Sequence, residues 1–112
     1  MKNYFITGSR AYGVAKPDSD LDIVLYKDDA EQLSTFLKRI GIKIDSTDEV
    51  YSSYYFKIDN YPKINIVVVR NEDEFKEWKY ATKKMMKIDS IKNKFERIRI
   101  FEQFRKEFRE KF

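Results

Sequence analysis

The 112-residue sequence predicts an α+β fold: a small mixed sheet of four to five strands packed by helices, two of them C-terminal. Three observations point there. Short runs of β-branched and apolar residues dominate the first seventy positions, residues 71–112 repeat their apolar side chains at helical spacing, and turn-forming residues fall between the runs. With 42% hydrophobic residues the chain can bury one modest core. Residues 1–112 therefore read as a single domain, with a sheet core over 1–70 and C-terminal helices over 71–112.

Asn3-Tyr4-Phe5-Ile6-Thr7 is β-prone and stopped by Gly8, which predicts a strand running straight into a turn. Asp22-Ile23-Val24-Leu25-Tyr26 is a continuous run of the kind found in strands covered on both faces. Asp28 and Asp29 offer N-caps to a helix in which Leu33, Phe36, Leu37 and Ile40 recur at helical spacing, and Gly41 suits the left-handed residue that closes it. Ile42–Ile44 is a candidate short strand. Tyr51–Ile58 and Ile64–Val69 predict two more, joined by Asp59-Asn60-Tyr61-Pro62 as a hairpin turn. Asn71 with Glu74 three residues on matches a capping box, and Phe75, Trp78, Ala81 and Met85 line one face of the helix it opens. Asp89 or Ser90 is placed to cap a last helix. There Ile91, Phe95, Ile98, Phe101, Phe104, Phe108 and Phe112 recur every three or four positions, with Lys and Arg on the opposite side.

Composition narrows the chemistry. The chain contains no Cys and no His, which excludes disulfides, thiolate nucleophiles, Cys or His zinc sites and every triad built on an imidazole. Acid–base or metal chemistry must then run on carboxylates, Lys, Tyr or hydroxyls, and oxygen ligands favour a hard cation such as Mg²⁺. The net charge of +4 is a mild bias toward anionic partners. It is unevenly spread, since residues 83–112 hold eleven of the 23 Lys and Arg against five of the 19 Asp and Glu. No apolar run approaches the roughly 20 residues of a membrane span, and no signal-like stretch opens the chain, so the expectation is a cytoplasmic protein that does not engage a membrane.

The stretch Ile6–Leu21, ITGSRAYGVAKPDSDL, holds two of the three glycines and one of the two prolines. Gly8-Ser9 follows a strand, and Asp20 and Asp22 lie at the start of the next. Alternation along a strand puts residues i and i+2 on one face, so both carboxylates can share a divalent cation. Gly8 and Gly13 let the backbone approach a phosphate closely, and Ser9 adds a hydroxyl at what can be a helical turn. Paired carboxylates beside a phosphate-cradling turn suit phosphoryl or nucleotidyl transfer.

Gly8-Ser9-Arg10-Ala11-Tyr12-Gly13 followed by Pro17-Asp18-Ser19-Asp20-Leu21-Asp22-Ile23-Val24-Leu25 resembles the signature of the DNA polymerase β superfamily of nucleotidyltransferases, closest to its minimal branch. The resemblance implies a polymerase β-like palm fold, with Gly8 and Ser9 on a nucleoside triphosphate such as ATP and Asp20 and Asp22 holding two Mg²⁺ ions. It implies transfer of a nucleoside monophosphate to an acceptor hydroxyl, on a protein or an RNA, with loss of pyrophosphate. Within the same turn Arg10 and Tyr12 are candidates to pair with or stack on the nucleotide, and Lys16 to touch phosphate.

Two departures accompany it. The superfamily's third metal carboxylate sits on a later strand, and the matching position in Lys63-Ile64-Asn65-Ile66-Val67-Val68-Val69 is Asn65, which brings no charge and is a very poor base. Asp59 is the alternative should the register differ. The minimal branch also carries a helix before the first strand, where this sequence leaves no room; the C-terminal helices are the candidates to fill that space. The basic residues Lys83, Lys84, Lys87, Lys92, Lys94, Arg97 and Arg99 can steer a nucleic acid or an acidic partner, or form a solvated face behind packing phenylalanines. Tyr51, Tyr54 and Tyr55 read as strand formers whose hydroxyls are also possible acceptors. Against the transferase stands a second expectation: a catalytically degenerate module, such as a phage or mobile-element accessory factor, that binds a nucleotide, nucleic acid or protein.

Overall fold

A computed structural model describes residues 4–13, 16–48, 52–58, 61–88 and 93–112. In chain order these form β1 (Tyr4–Thr7), a single helical turn α1 (Ser9–Tyr12), β2 (Leu21–Tyr26), α2 (Lys27–Arg39), β3 (Ile44–Asp48), β4 (Ser52–Lys57), β5 (Lys63–Val69), α3 (Glu72–Met86) and α4 (Lys94–Lys111). The fold is the expected α+β arrangement. Its five strands lie in the order β1-β2-β5-β4-β3, with β2 and β5 parallel and every other pair antiparallel.

The two central strands explain the layering. Along β2 and β5 successive side chains point to opposite faces, so a continuous apolar run must be covered on both. On one face Val24, Val67 and Val69 pack under α3 and α4 against Phe75, Trp78, Ala81, Met85 and Phe101. On the other, Leu25, Ile66 and Val68 pack with Phe56 of β4 under Ala30 and Leu37 of α2. Aromatic side chains lock the first layer: Phe75 stands edge-on to Phe5 at 5.1 Å and stacks on Tyr26 at 4.8 Å, and Trp78 meets Phe101 at 5.0 Å.

Several local expectations shift. Helix α2 starts at Lys27 after Tyr26, so Asp28 and Asp29 are first-turn residues that complement the helix dipole and not its caps. Its buried side chains are Ala30, Ser34 and Leu37, while Phe36 and Ile40 are 55% and 56% exposed, because the stripe facing the sheet runs one residue later than Leu33 and Phe36 suggest. Gly41 takes φ +88°, its N–H reaching Lys38 O and that of Ile42 reaching Leu37 O, a Schellman closure. Strand β3 begins at Ile44, where the sequence expectation ended it, and carries Asp45 on the sheet edge, which discourages further pairing. Asn71 caps α3 as expected, accepting from Glu74 N at 2.9 Å. Helix α4 is capped by Asn93, which accepts from the N–H groups of Phe95 and Glu96. Asp89, Ser90, Ile91 and Lys92 lie outside the described residues, as do Tyr51, Asp59 and Asn60. Phe101 is buried, but Phe95 is 82% exposed, so the apolar stripe of α4 meets the core only from Ile100 onward.

One charged contact joins the last two helices. Glu77 of α3 is buried, and its carboxylate accepts from Arg105 Nε at 2.8 Å and from Arg109 Nη1 of α4. The Arg105 guanidinium also lies 4.8 Å from the centre of the Trp78 ring. Removing one member of a buried pair leaves the other charge without compensation. Glu77→Ala is therefore expected to lower stability by about 2–4 kcal/mol in urea unfolding, and Glu77→Gln by less, since it still accepts a hydrogen bond.

Candidate active site

The site lies at one end of the sheet, on the face covered by α3 and α4. Register puts Thr7, Asp22, Asn65 and Tyr55 in one row across β1, β2, β5 and β4. Asp22 shares its face with Val24, Asn65 with Val67, and Asp20 stands just before β2 begins. Asp20 and Asp22 come together as expected, Asp22 from the strand and Asp20 from the loop before it, and Asn65 joins them. Its Nδ2 donates to Asp22 Oδ1 at 2.8 Å and to Asp20 Oδ2 at 3.3 Å. Ionised carboxylates only accept, so the amide presents its N–H side to both.

The Gly8-Ser9 turn abuts Asp22. Gly8 has φ +74°, a conformation L side chains rarely adopt, and a Cβ there would overlap Asp22 Oδ2. Glycine at this position therefore lets the chain turn and leaves Asp22 its place. The end of β1 is held from below: Thr82 Oγ1 of α3 donates to Trp78 O at 2.8 Å, which leaves it free to accept from Thr7 Oγ1, also at 2.8 Å. Gly13 closes α1 by donating to Ser9 O at 2.8 Å, and a Cβ on it would come within 2.8 Å of Ser9 Cα.

The other candidates in the turn have different surroundings. Tyr12 stacks on Phe101 at 5.9 Å and so packs onto α4. Arg10 turns to the backbone of the following loop, donating to Ser19 O through Nε at 3.0 Å and Nη2 at 2.8 Å, and to Pro17 O at 3.2 Å. Lys16 is exposed and opens a turn in which its N–H donates to Ser19 Oγ at 2.8 Å. No described contact brings it to the carboxylates.

Burial pushes the Asp22 carboxyl above its ordinary 3.8, and the Asp20 charge pushes the same way, while the Asn65 hydrogen bond and the Lys63 and Lys94 ammonium groups pull it back. The charges of Lys63 and Lys94 are thus felt at Asp22. Lys63 precedes Asn65 by two on the same strand and holds its ammonium 4.6 Å from the centre of the Tyr55 ring. Strand alternation would have revealed Lys63 in the sequence; the partnership of Thr7 with Thr82, 75 residues apart, had no local signal.

A family model described as a nucleotidyltransferase domain matches residues 2–111. The chain belongs to that family. Among solved structures it is similar to terminal uridylyl transferase 4 from Trypanosoma brucei with bound UPU, at 17% identity and a TM-score of 0.45, over 61% of this chain and 29% of that one. This chain thus spans less than a third of that structure's length. No curated protein matches. No helix among the described residues is long and apolar enough to cross a membrane.

The donor set of this nucleotidyltransferase domain fits a hard divalent cation in part. Two neighbouring carboxylates supply the oxygen ligands such ions prefer. Among the described residues, however, no cluster of three or more carboxylates forms, and the third member here is the neutral Asn65. Asp20 and Asp22 are the residues that would hold the ion.

The raised Asp22 value has a stability consequence. The folded state binds this proton more tightly than the unfolded chain, so stability falls as pH rises from the ordinary carboxylate range through the folded value, and the loss persists above it. Without divalent cations Asp22→Asn is expected to raise the thermal midpoint at pH 7, with the difference shrinking on acidification below the carboxylate range. Added Mg²⁺ is expected to raise the midpoint of the wild-type chain and not of the variant.

Proposed function

We propose that this domain is a Mg²⁺-dependent nucleotidyltransferase that moves a nucleoside monophosphate from a nucleoside triphosphate to a hydroxyl of a protein or an RNA. The observation that carries the reading is the pair Asp20 and Asp22, joined by Asn65, with Asp22 against the backbone turn at Gly8, in a chain of this family. The hydroxyl oxygen forms a bond to the α-phosphorus, the bridging bond to the β-phosphate breaks, pyrophosphate leaves and the hydroxyl proton passes to solvent. Bound Mg²⁺ would offset charge on the phosphates. Asp20 and Asp22 hold it, Gly8, Ser9 and Gly13 give the triphosphate a close approach to backbone, and Lys63 and Lys94 add positive potential for the anionic substrate. Lys16, exposed near the rim, is a further phosphate contact in this reading. Residues 1–112 act as one unit, in the cytoplasm, where nucleoside triphosphates are abundant.

The test is incubation with labelled ATP, GTP, CTP or UTP and Mg²⁺, following pyrophosphate release and label on protein or RNA. Turnover is expected, and Asp20→Ala or Asp22→Ala is expected to lower it by at least about 10³-fold with an unchanged circular dichroism spectrum. Release of pyrophosphate that survives both substitutions would sink the proposal.

The position of Asn65 favours a second reading. With its amide donating to both carboxylates, no described side chain stands ready to accept the proton of an attacking hydroxyl, which supports a degenerate module that binds nucleotide, nucleic acid or a protein partner without turnover. Asn65→Asp separates the two. On the transferase reading it is expected to raise the rate by about 10²-fold or more, measured as pyrophosphate release; a module that lacks more than this one group would stay silent.

A further inference from the structure

Asp22 and Asp20 are held in different ways. Asp22 lies within β2, paired to Thr7 on one side and Asn65 on the other, so two strands fix its backbone. Asp20 precedes the strand, and its place depends on the loop that delivers it. It also carries the charge that Asp22 repels, so an unrestrained loop would let the two carboxylates drift apart.

The group that restrains the loop is the Arg10 guanidinium. Arg10 is the second residue of α1, one position after Ser9, and its three hydrogen bonds end on Ser19 O and Pro17 O. Ser19 is the residue immediately before Asp20. The same segment is folded on itself by the Lys16 N–H to Ser19 Oγ bond and the Ser19 N–H to Lys16 O bond, at 2.8 and 3.0 Å. What Arg10 grips is therefore a preformed turn, and the grip ties Asp20 to the Gly8-Ser9 turn on the other side of the site. A guanidinium suits this task because its planar fork reaches two carbonyls at fixed angles, which a lysine ammonium cannot do.

We infer that Arg10 is a positioning residue: it sets the Asp20 carboxylate against Asp22 for a divalent cation, and it does so through the Ser19 and Pro17 carbonyls without contacting nucleotide. The inference rests on the function proposed above. It departs from the sequence expectation that Arg10 pairs with the nucleotide.

The measurement is Mn²⁺ affinity by electron paramagnetic resonance on the nucleotide-free chain, for wild type, Arg10→Ala and Arg10→Lys, with circular dichroism and thermal melts to confirm folding. Both variants are expected to bind Mn²⁺ at least tenfold more weakly than wild type, since Lys keeps the charge and loses the fork. Wild-type affinity in Arg10→Lys would mean that charge alone matters and would overturn the inference, as would wild-type affinity in both variants. Absence of Mn²⁺ binding in the wild-type chain would instead overturn the proposed function, and the purpose given to Arg10 with it. A second measurement needs no variant: the Arg10 Nε–H resonance is expected to be slow to exchange and to stay in place when ATP is added. Its displacement by ATP in step with saturation would assign Arg10 to the nucleotide and end the inference.

Discussion

The arrangement turns on one difficulty, the placing of two like charges side by side at the half-buried end of a sheet. The Asp22 carboxylate loses part of its hydration, and the Asp20 charge adds to the cost of ionising it. The chain answers with one amide and two ammonium groups: Asn65 donates to both carboxylates, and Lys63 and Lys94 lend their field from β5 and α4. Everything else at this end of the molecule serves to hold that group in place. Gly8 yields space to Asp22, Thr7 anchors the strand that carries Gly8 to α3, and the Glu77 cluster keeps α4, with Lys94 at its start, docked on α3.

Such a site works against the fold. An ionised Asp22 is destabilising in the folded state, so the residue that defines the site works against the fold that presents it. The opposing term is the packing beneath. Val24 and Val69 are fully buried two or more residues beyond the carboxylate row, and the aromatic layer of Phe75, Trp78 and Phe101 closes over them. A strained polar end on a well-packed base is how a small domain can keep a polar site without losing its structure.

The order of strands and helices, the Gly8-Ser9 turn, the Asp20 and Asp22 pair and the place of Asn65 were all legible in the sequence, because each follows from a local period or a turn residue. What escaped was set by distant partners. Phe36 and Ile40 are the right residue types at helical spacing, yet the sheet selects the stripe through Ala30 and Leu37, and only the position of β5 decides that. Arg10 and Tyr12 are candidates for a nucleotide by proximity to the motif; their contacts in the fold go to Ser19 and Phe101, nine and 89 positions away, and such separations leave no periodic trace. Ile44–Asp48 has poor strand propensity and becomes a strand through pairing with β4.

The basic C-terminal helix illustrates the difference between charge in a sequence and charge at a site. Read as a string, α4 is a run of cations suited to nucleic acid. In the fold Arg99 pairs with Glu96, Arg105 with Glu102 and Glu77, Arg109 with Glu77, and Lys111 with Glu107, so much of the field cancels within the helix and its neighbour. Over more than a Debye length of about 8 Å the remainder is largely screened. Lys94 at the head of the helix and Lys63 on β5 act differently, because the charge of each offsets part of the cost of ionising Asp22.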